Sequence, residues 1–81
     1  MDMSPQEFTK ALGTKVRARR AALSLSQSDL ADLAGVSERF VRFVEQGKTT
    51  VQLEPLLAVL GTLGLELAVQ PASSQTVYGQ L

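Results

Sequence analysis

A small all-α domain closed by one C-terminal strand is the fold that this 81-residue chain predicts, and three observations predict it. Apolar residues recur at helical spacing in successive segments. Serine or proline opens those segments, and Gly35, Gly47 and Gly64 close three of them. The period then switches to two over 65–70, where Leu65, Leu67 and Val69 alternate with Glu66, Ala68 and Gln70 ahead of Pro71.

The first helix is expected over about Pro5–Leu23. Ser4 accepts the backbone N–H three residues on, Glu7 reaches back, and Pro5 takes the first helical position, where it needs no N–H. Phe8, Leu12, Val16 and Leu23, with Ala11 and Ala22, form its apolar face. The second helix, about Gln27–Ala34, opens at Ser26 with Asp29 as a variant capping box. Leu30, Leu33 and Ala34 are its expected inner face, and Gly35 ends it in the left-handed conformation. Ser37 caps a third helix, about Glu38–Gln46, with Val41 and Val44 buried and Phe40 or Phe43 partly so. A fourth, about Leu53–Leu63, turns Leu53, Leu56, Leu57, Leu60 and Leu63 inward and carries Pro55 in its first turn. Helices two and three, joined by Gly35-Val36-Ser37, make a helix-turn-helix by spacing.

Three stretches follow: a helical domain over 4–64, a dimerisation strand over 65–71 and a flexible tail over 72–81. A lone strand leaves its N–H and C=O groups unpaired, and the simplest remedy is the same strand from a second copy, antiparallel across a two-fold axis. A domain this short buries only roughly 60 % of its unfolded surface, which also favours a homodimer.

Composition excludes several classes of function. No cysteine or histidine is present, so disulfides, thiolate or imidazole metal sites and histidine-dependent nucleophiles are out. With no glycine-rich phosphate loop and no paired-carboxylate pocket, neither enzyme activity nor any cofactor or metal is expected. The N-terminus lacks a signal-peptide pattern and the longest apolar run is Leu56–Leu60, so the expectation is a soluble cytoplasmic protein with no membrane partner. Net charge is zero, but all eight cations precede residue 49, where six acids leave a net +2. Such asymmetry places a basic face opposite a neutral or acidic one.

The stretches LSQSDLADLAGVS (25–37), FVEQGK (43–48) and LEPLLAVLGTLGLEL (53–67) carry a resemblance over about Leu12 to Leu65. The chain resembles the Xre/Cro/lambda-repressor-like DNA-binding domains, which implies four to five helices with the strand pairing across a homodimer. Within that family, residues 47–71 are most similar to HipB-type antitoxins. These implied properties are sequence-specific repression at a palindromic operator in double-stranded DNA and neutralisation of a HipA-like kinase-fold toxin.

The resemblance implies that the start and outer face of the third helix enter the major groove: Ser37, Glu38, Arg39, Arg42 and Phe43. Arg39 is the favoured base contact, because a guanidinium bridges guanine O6 and N7. Arg42 reads a base or holds a phosphate. Glu38 accepts from cytosine N4, orients Arg39, or simply favours the helix N-terminus through the macrodipole. Phe43 touches a thymine methyl or joins the core. Ser26, Gln27, Lys48 and Thr49, and more weakly Arg17, are expected at phosphates. Arg20 and Glu45 match positions that pair as a structural salt bridge in this family. Toxin contacts would fall on the outer surfaces of helices one and four or on the tail, with Tyr78 and Leu81, although a functionless terminus is the plainer reading of that tail.

Two other functions compete. One is a stand-alone repressor with no toxin, which gene neighbourhood separates from the antitoxin. The other is an adaptor that has kept the fold and lost DNA binding, which the zero net charge favours.

Overall fold

The computed structural model describes residues 3–71, and four helices are assigned there: α1 Pro5–Ala22, α2 Gln27–Ala34, α3 Glu38–Glu45 and α4 Leu53–Thr62. Each helix keeps its expected start, and α1, α3 and α4 stop one residue earlier than the spacing suggests. Local chemistry sets the starts. Ser4 and Glu7 form a reciprocal capping box at α1, with Ser4 Oγ accepting from Glu7 N at 3.1 Å and Glu7 Oε1 from Ser4 N at 2.9 Å. Ser26 and Asp29 do the same at α2, both bonds at 2.9 Å. Ser37 Oγ accepts from Phe40 N at 3.0 Å at α3. Gly35 closes α2 at φ 73°, and the Val36 N–H doubles back to the Ala31 carbonyl at 3.0 Å. The turn into α3 is therefore pinned at both ends.

α3 packs against both α1 and α2, and α2 packs in addition on α4. Val16, Leu30, Ala31, Val41, Val44, Leu56, Val59, Leu60 and Leu63 make the core. Several expected inward residues lie elsewhere. Phe8 and Leu23 of the first apolar face are exposed, as are Leu33 on α2 and Leu53 and Leu57 on α4. Leu33 is 65 % accessible, because the α2 surface that meets its neighbours is centred on Leu30, Ala31 and Ala34, and position 33 lies to one side of that stripe. On α1 the buried stripe is Thr9, Gly13 and Val16, which an apolar count cannot find.

Gly13 shows why. A Cβ there would stand 2.5 Å from the Val44 carbonyl oxygen and 2.8 Å from that of Glu45, so α1 and α3 meet backbone to backbone. Thr9 Oγ1 adds a hydrogen bond to the Gly47 carbonyl at 2.7 Å just past α3. At the other end of α1, Arg19 Nε donates to the Leu63 carbonyl at 2.8 Å, closing the C-terminus of α4.

The Glu45 carboxylate ties the three packed helices together. Its side chain has no solvent exposure, and it accepts from Arg20 Nε at 2.6 Å, Arg20 Nη2 at 3.0 Å and Gln27 Nε2 at 3.0 Å. Arg17 Nε approaches it from a largely exposed side chain at 3.5 Å. Arg20 also donates to the Leu25 carbonyl at 2.9 Å, so α1, the α1–α2 loop, α2 and α3 share one polar cluster. Burial pushes the Glu45 carboxyl up, but hydrogen bonds from Arg20 and Gln27 and the Arg20 charge outweigh it and hold the group below the usual glutamate value. No buried side-chain N or O lacks a partner among the described residues.

The strand expected over 65–70 is not formed. The stretch is irregular, and among the described residues no second extended segment lies where it could pair with it. The Leu65 N–H instead closes α4 onto the Leu60 carbonyl at 2.8 Å. Leu67 and Val69 are exposed, Val69 completely. The expected tail over 72–81, with Tyr78 and Leu81, lies outside the described residues.

Two measurements check this packing. Gly13→Ala gains helix propensity of up to about 1 kcal/mol but drives a methyl into the α3 backbone, a clash that costs more, so a net loss of about 1–3 kcal/mol in chemical unfolding is expected. Glu45→Gln strands the Arg20 charge and lowers stability at neutral pH by on the order of 3 kcal/mol. Because the folded Glu45 pKa lies below the unfolded one, the wild-type stabilisation is complete above about pH 4.3 and is lost as pH falls through the folded value. Thermal melts in acid are expected to show a shallower decline in Glu45→Gln than in the wild type. Asp29, lowered by the Ser26 backbone N–H and hydroxyl, contributes a decline of the same sign in both proteins.

Candidate nucleic-acid interface

α3 has two faces of opposite character. Val41, Val44 and Glu45 are buried, and Phe40 packs against the core from its edge. Glu38, Arg39 and Arg42 point to solvent on the other side. The inner face is fixed by the backbone contact at Gly13 and by the Glu45 cluster, so the outer face is presented at a set depth and angle.

On that face the structure brings together most of the residues expected to meet base edges. Ser37, Arg39, Phe40 and Phe43 line a shallow groove of about 290 Å³ that continues onto Thr50 and Gln52. Phe43 is half-buried at the groove and does not belong to the core cluster. Ser37 is exposed, although its hydroxyl already accepts the Phe40 N–H as the cap of α3. Arg39 is exposed and has no ion pair among the described residues. Glu38 does not orient it: the Glu38 carboxylate pairs instead with Arg42 one turn on, Nη1 to Oε2 at 3.1 Å, with both side chains half-exposed.

The residues expected at phosphates divide into two groups. Lys48 and Thr49 stand exposed on the loop after α3, on the chain that leads to Thr50. Ser26 is exposed at the start of α2, its hydroxyl serving as the cap. Gln27, by contrast, turns its side-chain amide inward to Glu45 and has only its backbone N–H at the helix N-terminus. Arg17 lies on α1 with its guanidinium at the edge of the Glu45 cluster and most of its side chain in solvent. Arg20 is committed to Glu45 and Leu25.

Thr50 and Gln52 were not singled out by the sequence. Gln52 occupies the N-cap position of α4 without a side-chain cap bond, which leaves its amide at the groove. A glutamine where serine, threonine, aspartate or asparagine is preferred was the signal available.

No helix among the described residues is long and apolar enough to cross a membrane, and no cluster of potential metal ligands occurs among them. Residues 16–70 match the helix-turn-helix family. An HTH-type transcriptional regulator of Sinorhizobium fredii, y4mF, described as uncharacterized, is 41 % identical over 58 residues, covering 72 % of this chain and 76 % of that protein. A second uncharacterized HTH-type transcriptional regulator, from Haemophilus influenzae, is 40 % identical over 52 residues, 64 % of this chain and 53 % of its own length. With two-thirds of its length matched and α2-turn-α3 built as described, the chain belongs to the helix-turn-helix family, and DNA binding is what such a domain implies.

Proposed function

We propose that the chain is a sequence-specific transcriptional repressor that binds a palindromic operator as a homodimer, with Arg39 reading a guanine from the major groove. The exposed Arg39 guanidinium, on the face of α3 opposite a fully buried one, is the observation that carries the reading. Arg42 and Phe43 flank it, while Lys48 and Thr49, with the α2 start at Ser26 and Gln27, supply phosphate contacts on either side; Arg17 is a peripheral one.

The homodimer is supported by the free edge after α4. Residues 66–70 offer unpaired backbone, and a groove of about 300 Å³ lined by Phe8, Leu12, Leu60, Leu65 and Leu67 lies beside them. A second copy of the same segment, paired through Leu65, Leu67 and Val69, satisfies both at once. Two copies also double the few cations that each chain brings to the duplex. The antitoxin role, with a HipA-like kinase as partner, draws its support from the resemblance of residues 47–71 to HipB-type antitoxins. Both relatives are described as HTH-type transcriptional regulators, and a stand-alone repressor without a toxin is the second reading.

Arg39→Ala is expected to weaken binding to the protein's own promoter by about 5- to 150-fold per half-site while changing affinity for mixed-sequence duplex little. Lys48→Ala is expected to weaken both alike and to reduce the salt slope by about 1 per chain. Gel shifts against both duplexes decide the matter: a wild type that prefers neither at low salt is an adaptor that has lost DNA binding. For the dimer, Val69→Asp is expected to sediment as a monomer at concentrations where the wild type is a dimer, and equal sedimentation removes the strand pairing.

A further inference from the structure

We propose that Glu38 is the specificity-determining residue of α3, acting through Arg42 by withholding its charge from DNA that lacks a suitable base. This rests on the DNA-binding reading above. Arg39 and Arg42 are a turn apart on the same outer face, yet only Arg42 is neutralised, by the 3.1 Å ion pair with Glu38. Both members of that pair are half-exposed, so it is weak and readily exchanged. The Glu38 carboxylate stands at the first position of α3, the end that a recognition helix puts deepest into the groove.

Where the base edge that faces it offers acceptors alone, as guanine O6 and N7 or thymine O4 do, the carboxylate finds no donor and keeps Arg42. Where a cytosine presents its N4 amino group, the carboxylate accepts that hydrogen bond instead. Arg42 is then released to a phosphate or to a neighbouring guanine. One acid thus couples a donor-bearing base to an additional cationic contact and penalises sequences that place guanine or thymine at that position. As a helix-stabilising device an exposed i, i+4 pair contributes little, so a hydrogen bond to a base readily displaces it.

The test uses the full chain. Duplexes are selected from a random-sequence library with the wild type, and affinity for a selected duplex and for a mixed-sequence duplex is measured from about 50 to about 200 mM salt. Glu38→Gln is expected to bind the mixed-sequence duplex about tenfold more tightly, with a salt slope steeper by about 1 per chain. Its discrimination between the two duplexes is expected to fall at least about tenfold, and Arg42→Gln added to it is expected to cancel the gain on mixed sequence. Unchanged mixed-sequence affinity and discrimination in Glu38→Gln, with its melting temperature intact, overturns the proposal, as does a gain that survives loss of Arg42. A wild type that enriches no sequence from the library overturns the DNA-binding reading itself, and is told apart from those outcomes by the wild-type arm alone.

Discussion

Everything the outer face of α3 presents depends on one buried carboxylate. Glu45 lies at the last turn of α3 without solvent exposure, and taking such a group out of water is costly unless its lone pairs are filled. Arg20 fills them from α1 and Gln27 from α2. Hydrophobic contacts between three short helices tolerate sliding and rotation; a forked guanidinium on a shielded carboxylate does not. Together with the backbone contact at Gly13, the cluster leaves α3 one seat on α1. It is a positional device, and what it positions is the row Glu38, Arg39 and Arg42 on the far side of the same helix.

That arrangement divides the cations by task. Arg20 is consumed by the interior, Arg19 by the end of α4 and Arg42 by Glu38, while Arg17 hovers at the rim of the Glu45 cluster. Arg39 and Lys48 are left as the cations on and after α3 that have no ion pair among the described residues. A neutral chain thereby keeps a sparse positive surface, and recognition must come from where those charges sit. The competing idea of an adaptor took its support from net charge, a quantity that says nothing of this partition.

Much of the fold was legible in the sequence, because capping serines and terminal glycines act locally. Ser4, Ser26, Ser37 and Gly35 set helix boundaries to within a residue. The faces of the helices were less so. Phe8 and Leu33 are apolar and outside, whereas Thr9 and Gly13 are inside, because inter-helix distance and a carbonyl at Gly47 decide those positions and neither is a property of α1 alone. Residues 65–70 alternate as a strand should, but pairing is a property of two segments, and the described residues hold one. At the candidate site the choice of α3 came from the resemblance to repressor-like domains, and helical periodicity showed only which of its residues are buried. The partner of Glu38 was available in the spacing as well, since residues four apart share a helix face and adjacent ones do not, yet the reading set Glu38 beside Arg39 instead of Arg42. The inward turn of the Gln27 amide, by contrast, follows from the position of Glu45 in space, eighteen residues away along the chain.

The segregation of α3 into an interior side and a solvent side has an evolutionary consequence. Substitutions at 38, 39 and 42 touch none of the groups that hold the helix in place, so they are close to free in stability. On the proposed reading of α3, a descendant of this chain is retargeted to a different nucleotide sequence by altering three surface letters, without any compensating change in its interior.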